Sequence, residues 1–141
     1  AMNLVYACSA YPFGKLSDRM NHKALLAGGL LVLVTADLVL ATNDHWSVVL
    51  GGVALWGVHM GMTQGLLATM VADVAPADLR GTAYGCFNLA CGLAMLVASV
   101  LAGFLWDRFD ASFTFYAGAL FSLLAIGGTL FSPVAQPRRT G

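Results

Sequence analysis

An ionisable side chain inside a long apolar segment is the feature of this sequence best suited to chemistry. His59 lies near the centre of the apolar stretch 46–72 and is the only ionisable residue in it. An imidazole can gain or lose a proton near neutral pH, and ionisable groups inside apolar segments of membrane length are functional candidates by default. His59 could carry a proton or bind a ligand, or it could be a neutral ring hydrogen-bonded to a neighbouring helix. The residues alone leave both interpretations open.

Residue patterns typical of enzymes and of metal or cofactor sites are missing. The sequence contains no H-E-x-x-H, no G-x-S-x-G and no glycine-rich nucleotide-binding loop. Cys8, Cys86 and Cys91 lie in apolar runs, and none forms a C-x-x-C pair or a Cys/His cluster with metal-ligand spacing. We therefore expect no catalytic residue, no metal site and no cofactor.

The composition is that of a protein whose solvent is the lipid bilayer. Hydrophobic residues make up 59% of the 141 residues and charged residues 10%, whereas soluble domains carry about 25% charged residues. Seven Lys and Arg balance seven acids, all of them Asp, so the formal net charge is zero. A neutral chain of this kind argues against a nucleic-acid partner.

Five apolar segments, separated by short polar turns, predict an all-α polytopic transmembrane helix bundle. Their bounds are 1–14, 24–42, 46–72, 81–106 and 113–131, and a polar tail follows at 132–141. A helix crosses a bilayer with roughly 20 residues, so the last four segments are long enough and the first is too short. A chain start within hydrocarbon would leave backbone groups unsatisfied. We therefore expect the sequence to begin inside a helix, as a truncated part of a longer protein.

The basic residues predict which ends of the segments face the cytoplasm. Because successive segments alternate in direction, the turns 15–23 and 73–80 lie on the same side as the tail. That side carries six of the seven basic residues, and Arg108 alone lies on the other. The positive-inside rule makes the richer side cytoplasmic. We expect a cytoplasmic C-terminus in the inner (plasma) membrane of a bacterium.

A short motif recurs at a spacing of 89 residues. Residues 14–19 read G-K-L-S-D-R, and residues 103–108 read G-F-L-W-D-R. The same shift carries Ala24, where the second segment starts, onto Phe113, where the fifth starts. The copies face opposite sides of the membrane, as inverted-topology repeats do. Three helices, 46–131, would form the second repeat, and the first repeat would lack roughly 40 residues at its beginning.

Two stretches resemble the major facilitator superfamily. Residues 14–23, G-K-L-S-D-R-M-N-H-K, are similar to its signature cytoplasmic loop, G-x-L-[AS]-D-R-x-G-R-[KR], although Asn21 and His22 depart from the pattern. The matching positions are Gly14, Leu16, Asp18, Arg19 and Lys23. Residues 73–83 resemble the P-x-x-x-R-G turn that leads into helix eleven of the family. The resemblance covers essentially the whole chain. It implies part of a C-terminal six-helix domain, from within helix eight through helix twelve, whose partner is a missing N-terminal half.

The resemblance implies a conformational switch in these loops. In the family, the Asp of the loop docks against the positive N-terminal end of a helix in the other half and holds one conformation. Asp18 would take this role here. Arg80 and Gly81 would receive the corresponding Asp of the missing half. The alternative is a charged loop that only fixes orientation.

Helix ten of the family borders the central cavity, and the segment 46–72 corresponds to it. Gly57, Gly61 and Gly65 form a stripe of small residues for close helix packing. A different helical face holds the candidates for substrate binding or coupling. These are Trp56, His59, Met60 and Thr63.

Two further polar residues lie within apolar segments. Asn88 is a candidate substrate contact, although an interhelical hydrogen bond is the favoured role. Asp37 lies about six residues, or roughly 9 Å, from the outer end of its segment, so its carboxylate could reach the interface. The family resemblance puts that helix on the periphery, and we expect Asp37 to have no coupling role.

These observations predict part of a secondary transporter that moves an unidentified small solute by alternating access. Coupling to protons would depend on His59 alone. The alternative is a membrane protein that transports nothing, either a helical scaffold or a membrane-embedded enzyme.

The first prediction concerns topology. A reporter fused after Gly141 should lie in the cytoplasm, and one inserted at Asn43 should lie outside. The reason is that the side of the C-terminal tail carries six of the seven basic residues. Paired reporters that are active in opposite compartments measure this directly. The reverse labelling pattern would contradict both the orientation and the helix numbering.

Overall fold

Five α-helices make up the architecture of the protein in the computed structural model, which describes residues 2–17, 20–42 and 45–131. Their bounds are α1 Met2–Ser17, α2 His22–Thr42, α3 Trp46–Val74, α4 Arg80–Arg108 and α5 Ala111–Phe131. No strand occurs in these ranges. Helices α2 to α5 are each long and apolar enough to cross a membrane. The predicted all-α transmembrane bundle is confirmed.

Polar residues and a proline mark the helix ends. The backbone N–H of Lys23 donates to Asn21 Oδ1 at 2.9 Å, so Asn21 caps α2, a role worth about 1 kcal/mol. Before α5, the N–H of Ala111 donates to Asp110 Oδ1 at 2.6 Å, and a carboxylate is favourable at this positive helix end. Helix α3 ends at Val74, two residues before Pro76, which restricts the residue preceding it to extended conformations.

The repeat seen in the sequence extends to the bounds of two helices. Helices α2 and α5 are both 21 residues long. Helix α5 begins at Ala111, 89 positions after the start of α2 at His22. It ends at Phe131, 89 positions after the end of α2 at Thr42. The residues that cap them, Asn21 and Asp110, are related by this shift as well. The two helices also pack against each other.

Helix α3 packs closely against two neighbours through glycine. A Cβ at Gly57 would lie 2.8 Å from the backbone oxygen of Met2, and a Cβ at Gly61 would lie 2.6 Å from Ser9 Cβ, both on α1. On the side facing α2, a Cβ at Gly52 would lie 2.6 Å from Leu40 Cγ. Such distances are shorter than any real Cβ contact, so the backbones can approach this closely only without a side chain.

The core lies among α1, α2, α3 and α5, and small residues dominate it. The buried hydrophobic residues are Leu25, Ala36, Ala41, Leu66 and Ala119. Helix α4 contributes no buried residue, and it packs much less extensively on α3 and α5 than the other helices pack on one another. Its anchors are peripheral, since the Tyr84 hydroxyl donates to the Ala68 oxygen at 2.8 Å and Thr114 donates to the Ala102 oxygen at 3.3 Å. The apolar surface of α4 is therefore open to lipid or to other helices.

The third glycine of the stripe on α3 differs from the first two. Apart from the adjacent residues and the nearby backbone of α3 itself, no atom of the described residues lies within 4 Å of the position that a Cβ would take at Gly65. We expect Gly61→Ala to destabilise the bundle by about 1–3 kcal/mol, because the new methyl group overpacks against α1. Gly65→Ala is the matched control and should be neutral or slightly stabilising, because alanine favours helix more than glycine does. Thermal unfolding in detergent or nanodiscs measures both. Equal effects of the two substitutions would contradict the close approach of α1 and α3.

Candidate functional site

The ring of His59 faces α2. Its Nδ1 lies 2.8 Å from the backbone oxygen of Gly29 on that helix, and the side chain is half-buried. A carbonyl oxygen only accepts hydrogen bonds, so Nδ1 is the donor and carries the proton. In the neutral ring, Nε2 then holds the lone pair and can accept a hydrogen bond or a proton. The geometry thus fixes the tautomer.

Thr63 lies beside His59, also against α2. It is buried, and its hydroxyl donates to the backbone oxygen of His59 at 2.9 Å, one turn earlier on α3. A Cβ at Gly29 would lie 2.7 Å from Thr63 Cγ2 and 3.8 Å from His59 Nδ1. Glycine at position 29 therefore lets Thr63 fit against α2, whereas the distance to His59 is an ordinary contact. Since Thr63 Oγ1 donates its proton within α3, this hydroxyl has no second proton to donate.

The other two candidates on α3 have more open surroundings. Trp56 is 39% exposed, and Met60 is half-buried. Trp56, His59 and Met60 recur at spacings of three and four residues, so they follow one helical face. This face combines an indole, an imidazole and a flexible thioether. Such a surface can bind a small molecule by stacking, by a hydrogen bond and by adaptable apolar contact.

Among the described residues, no hydrogen bond joins Asn88 to this face. Asn88 lies on α4, is exposed, and has no hydrogen bond to another of the described residues. Arg80 and Gly81 open the same helix and are also exposed. The residue before them, Leu79, provides no side-chain cap. The first N–H groups of α4 thus remain available to an acceptor from outside the helix.

The loop motif is described only in part. Gly14 lies in the last turn of α1, where its oxygen accepts a hydrogen bond from Ser17 Oγ at 2.9 Å. Leu16 belongs to the same turn and Lys23 to the first turn of α2. Asp18 and Arg19 lie outside the described residues. Their role in a switch stays a prediction.

Sequence reasoning missed the partners of the polar groups on the helices. It assigned no role to Gly29, although Gly28 and Gly29 form a pair of small residues, which is typical of close helix contacts. It also treated Asn21 only as a departure from the loop pattern. An Asn just before an apolar segment is a standard N-cap signal that could have revealed its role.

The fold and the polar residues on its helices define a class of protein. Four membrane-length helices, packed through small residues and with polar side chains inside the bundle, are features of an integral membrane protein. The family model of the Major Facilitator Superfamily matches residues 1–141. The chain belongs to this superfamily, and its predicted resemblance is confirmed.

Similar proteins include several named as transporters. The chain is 32% identical over 123 residues to an uncharacterised MFS-type transporter of Methanocaldococcus jannaschii, an alignment that covers 87% of this chain and 31% of that protein. It is 27% identical over 129 residues to the inner membrane transport protein YajR of Escherichia coli, an alignment that covers 91% of this chain and 28% of that protein. It is 34% identical over 113 residues to human monocarboxylate transporter 6, an alignment that covers 77% of this chain and 21% of that protein. No solved structure gives a significant match to the chain.

The fixed tautomer of His59 is open to measurement. Nitrogen NMR of the labelled ring should find Nδ1 protonated and Nε2 unprotonated in the neutral form, because the Gly29 oxygen accepts from Nδ1. Gly29→Ala should change both resonances, since its methyl group would overlap Thr63 Cγ2 and displace this side chain, which is hydrogen-bonded to the backbone of His59. Gly28→Ala is the matched control, because in the described part of the chain a Cβ there would meet Met62 Cε alone, at an ordinary 3.6 Å. A ring with the opposite tautomer, or one insensitive to Gly29→Ala, would contradict this contact.

Proposed function

We propose that this chain is part of a secondary transporter that moves a small solute across a membrane by alternating access. The observation that carries the proposal is the family match over all 141 residues, in a chain with four membrane-length helices. Relatives named as transporters support it. At the family level, these names point to a transporter rather than to an enzyme or a passive scaffold.

The chain would work together with further helices of the same protein. It spans 31%, 28% and 21% of the three relatives reported above. Alternating access requires two bodies that move against each other around a site, so we propose an N-terminal half as the partner of this bundle. The unburied surface of α4 provides one face on which such a partner can pack.

The face of α3 that carries Trp56, His59 and Met60 is the proposed solute surface. His59 Nε2 is free to accept a hydrogen bond because Nδ1 donates to Gly29. Trp56 exposes part of its indole about one helical turn away. Thr63 would support the ring of His59 rather than touch the solute. Asn88 remains a further proposed contact, made from α4.

Coupling to protons is the second part of this proposal. An imidazole held by one nitrogen can take up a proton at the other, and it changes charge near neutral pH. Protonation of Nε2 would replace an acceptor with a donor on the solute surface. A solute that binds one form better than the other would then be linked thermodynamically to the proton.

The loop residues are proposed to control the conformational change. A carboxylate docked at a helix N-terminus contributes typically 0.3–1 kcal/mol and about 2 kcal/mol when partly buried, which shifts a two-state population several-fold. Asp18 would dock in this way on the other half. The uncapped start of α4, at Arg80 and Gly81, would accept the matching carboxylate. We also propose a bacterial inner membrane, with the C-terminus in the cytoplasm, as in the topology prediction above.

Flux through the full-length protein in proteoliposomes tests the function and the role of His59. We expect saturable uptake of a solute, and we expect His59→Ala to reduce it at least tenfold or to remove its pH dependence, because the substitution deletes the acceptor on the solute surface. His45→Ala is the matched control, since His45 is exposed at the start of α3 and its ring Nδ1 is hydrogen-bonded to the exposed Ser47 at 2.9 Å.

Each outcome of this experiment has a separate meaning. If the purified protein shows no saturable flux for a broad panel of solutes, the transport proposal is wrong and a scaffold role is favoured. If flux is normal in His59→Ala, transport stands but the proposed site and the proton coupling are wrong. Correct insertion of both variants is checked by their thermal unfolding.

A further inference from the structure

Asp37 is a carboxyl group buried at the contact between α2 and α5, away from the solute surface proposed above. Its side chain is only 4% exposed. Its Oδ2 lies 2.8 Å from the position that a Cβ would take at Gly118 on α5, and its Cγ lies 3.3 Å from it. Any side chain at position 118 would push the carboxyl group away. The place of Asp37 in the packing therefore depends on glycine at this position.

Within the described residues, no positive charge balances this carboxyl group. None of the hydrogen bonds or ion pairs between residues in 2–17, 20–42 and 45–131 involves Asp37. The helices packed against α2 are α3 and α5, and the only Lys or Arg on α2 itself is Lys23, at its opposite end. Helices α3 and α5 contain no Lys or Arg at all.

The other titratable groups on these helices face elsewhere. On α3, His59 contacts Gly29, which lies eight residues and about 12 Å along α2 from Asp37. Asp73, also on α3, is exposed in the last turn of that helix. On α5, Tyr116 is 45% exposed, and it lies about 160° around the helix from Gly118. None of them can share the charge of Asp37.

We propose that Asp37 is a proton-binding site, a carboxylic acid that carries its proton while α2 and α5 are packed together. An ionised carboxylate without a partner is very unfavourable inside a membrane protein, whereas the neutral acid needs only ordinary hydrogen bonding. Ser122 is buried one turn beyond Gly118 on the same face of α5, although no hydrogen bond joins it to Asp37 in the packed helices.

A metal ion fits this place less well than a proton. Hard cations require six or more oxygen ligands, several of them carboxylates or carbonyls. Within the described residues, no group of three or more His, Cys, Asp or Glu side chains could hold a metal ion. One carboxyl group facing a glycine provides too few ligands.

Proton binding at this position links pH to helix packing. Release of the proton leaves a charge that is stable only if water enters or the helices separate, so deprotonation favours separation of α2 and α5. The site lies on helices other than α3. It would exist whether or not the protein transports a solute, so it does not depend on the proposed function.

Infrared difference spectroscopy of the full-length protein in lipid nanodiscs tests the proposal. The carbonyl stretch of a protonated carboxylic acid is separate from the bands of carboxylates, and all acidic side chains of this chain are Asp. At neutral pH we expect a protonated-acid band that is lost in Asp37→Asn and retained in Asp73→Asn. Asp73 is the matched control because it is an exposed Asp at a helix end.

A second variant keeps the carboxyl group and changes only its surroundings. Gly118→Ala places a methyl group where the carboxyl lies, so the band should shift in frequency and the acid should lose its proton at a lower pH. If Asp37→Asn fails to fold, Gly118→Ala still tests whether the band comes from Asp37. The proposal is overturned if the band is absent at neutral pH, if Asp37→Asn leaves it unchanged, or if Gly118→Ala has no effect on it.

Discussion

Close approach of helix backbones is the constraint on which the rest of this bundle depends. In hydrocarbon there is little hydrophobic force to bring helices together, so association depends on van der Waals packing and on interhelical hydrogen bonds. Glycine makes close van der Waals packing possible, because it has no side chain to keep the two backbones apart. Gly57 and Gly61 let α3 reach α1, and Gly29 lets it reach α2. Because α3 is common to both contacts, its orientation is set from two sides.

The same close packing positions the polar groups. His59 reaches the backbone oxygen of Gly29, and glycine at this position leaves room for the neighbouring side chain of Thr63. That bond links a ring on α3 to the backbone of α2, so the ring cannot turn without loss of a buried hydrogen bond. A site built in this way is rigid on one nitrogen and reactive on the other. The chemistry of His59 therefore depends on how closely α2 and α3 pack.

The internal repeat appears in this polar packing as well. Gly29 on α2 and Gly118 on α5 are related by the shift of 89 residues that relates their helices. Each faces a polar side chain of a neighbouring helix, since Gly29 contacts His59 and Thr63 while Gly118 contacts Asp37. Positions related by the shift of 89 residues thus face different polar groups.

The sequence by itself determined the class of protein, its all-α transmembrane fold and its family. These follow from local properties, namely the length of apolar runs, the spacing of small residues and short motifs such as G-x-L-x-D-R. The tertiary structure alone decided which groups meet. His59 was found in an apolar segment by inspection, but its partner is 30 residues away on another helix. Asp37 was expected near the interface, because its depth in the helix could be counted while the direction of its side chain could not. Burial against Gly118 depends on how α2 and α5 are rotated about their axes, and that rotation results from the packing of the whole bundle.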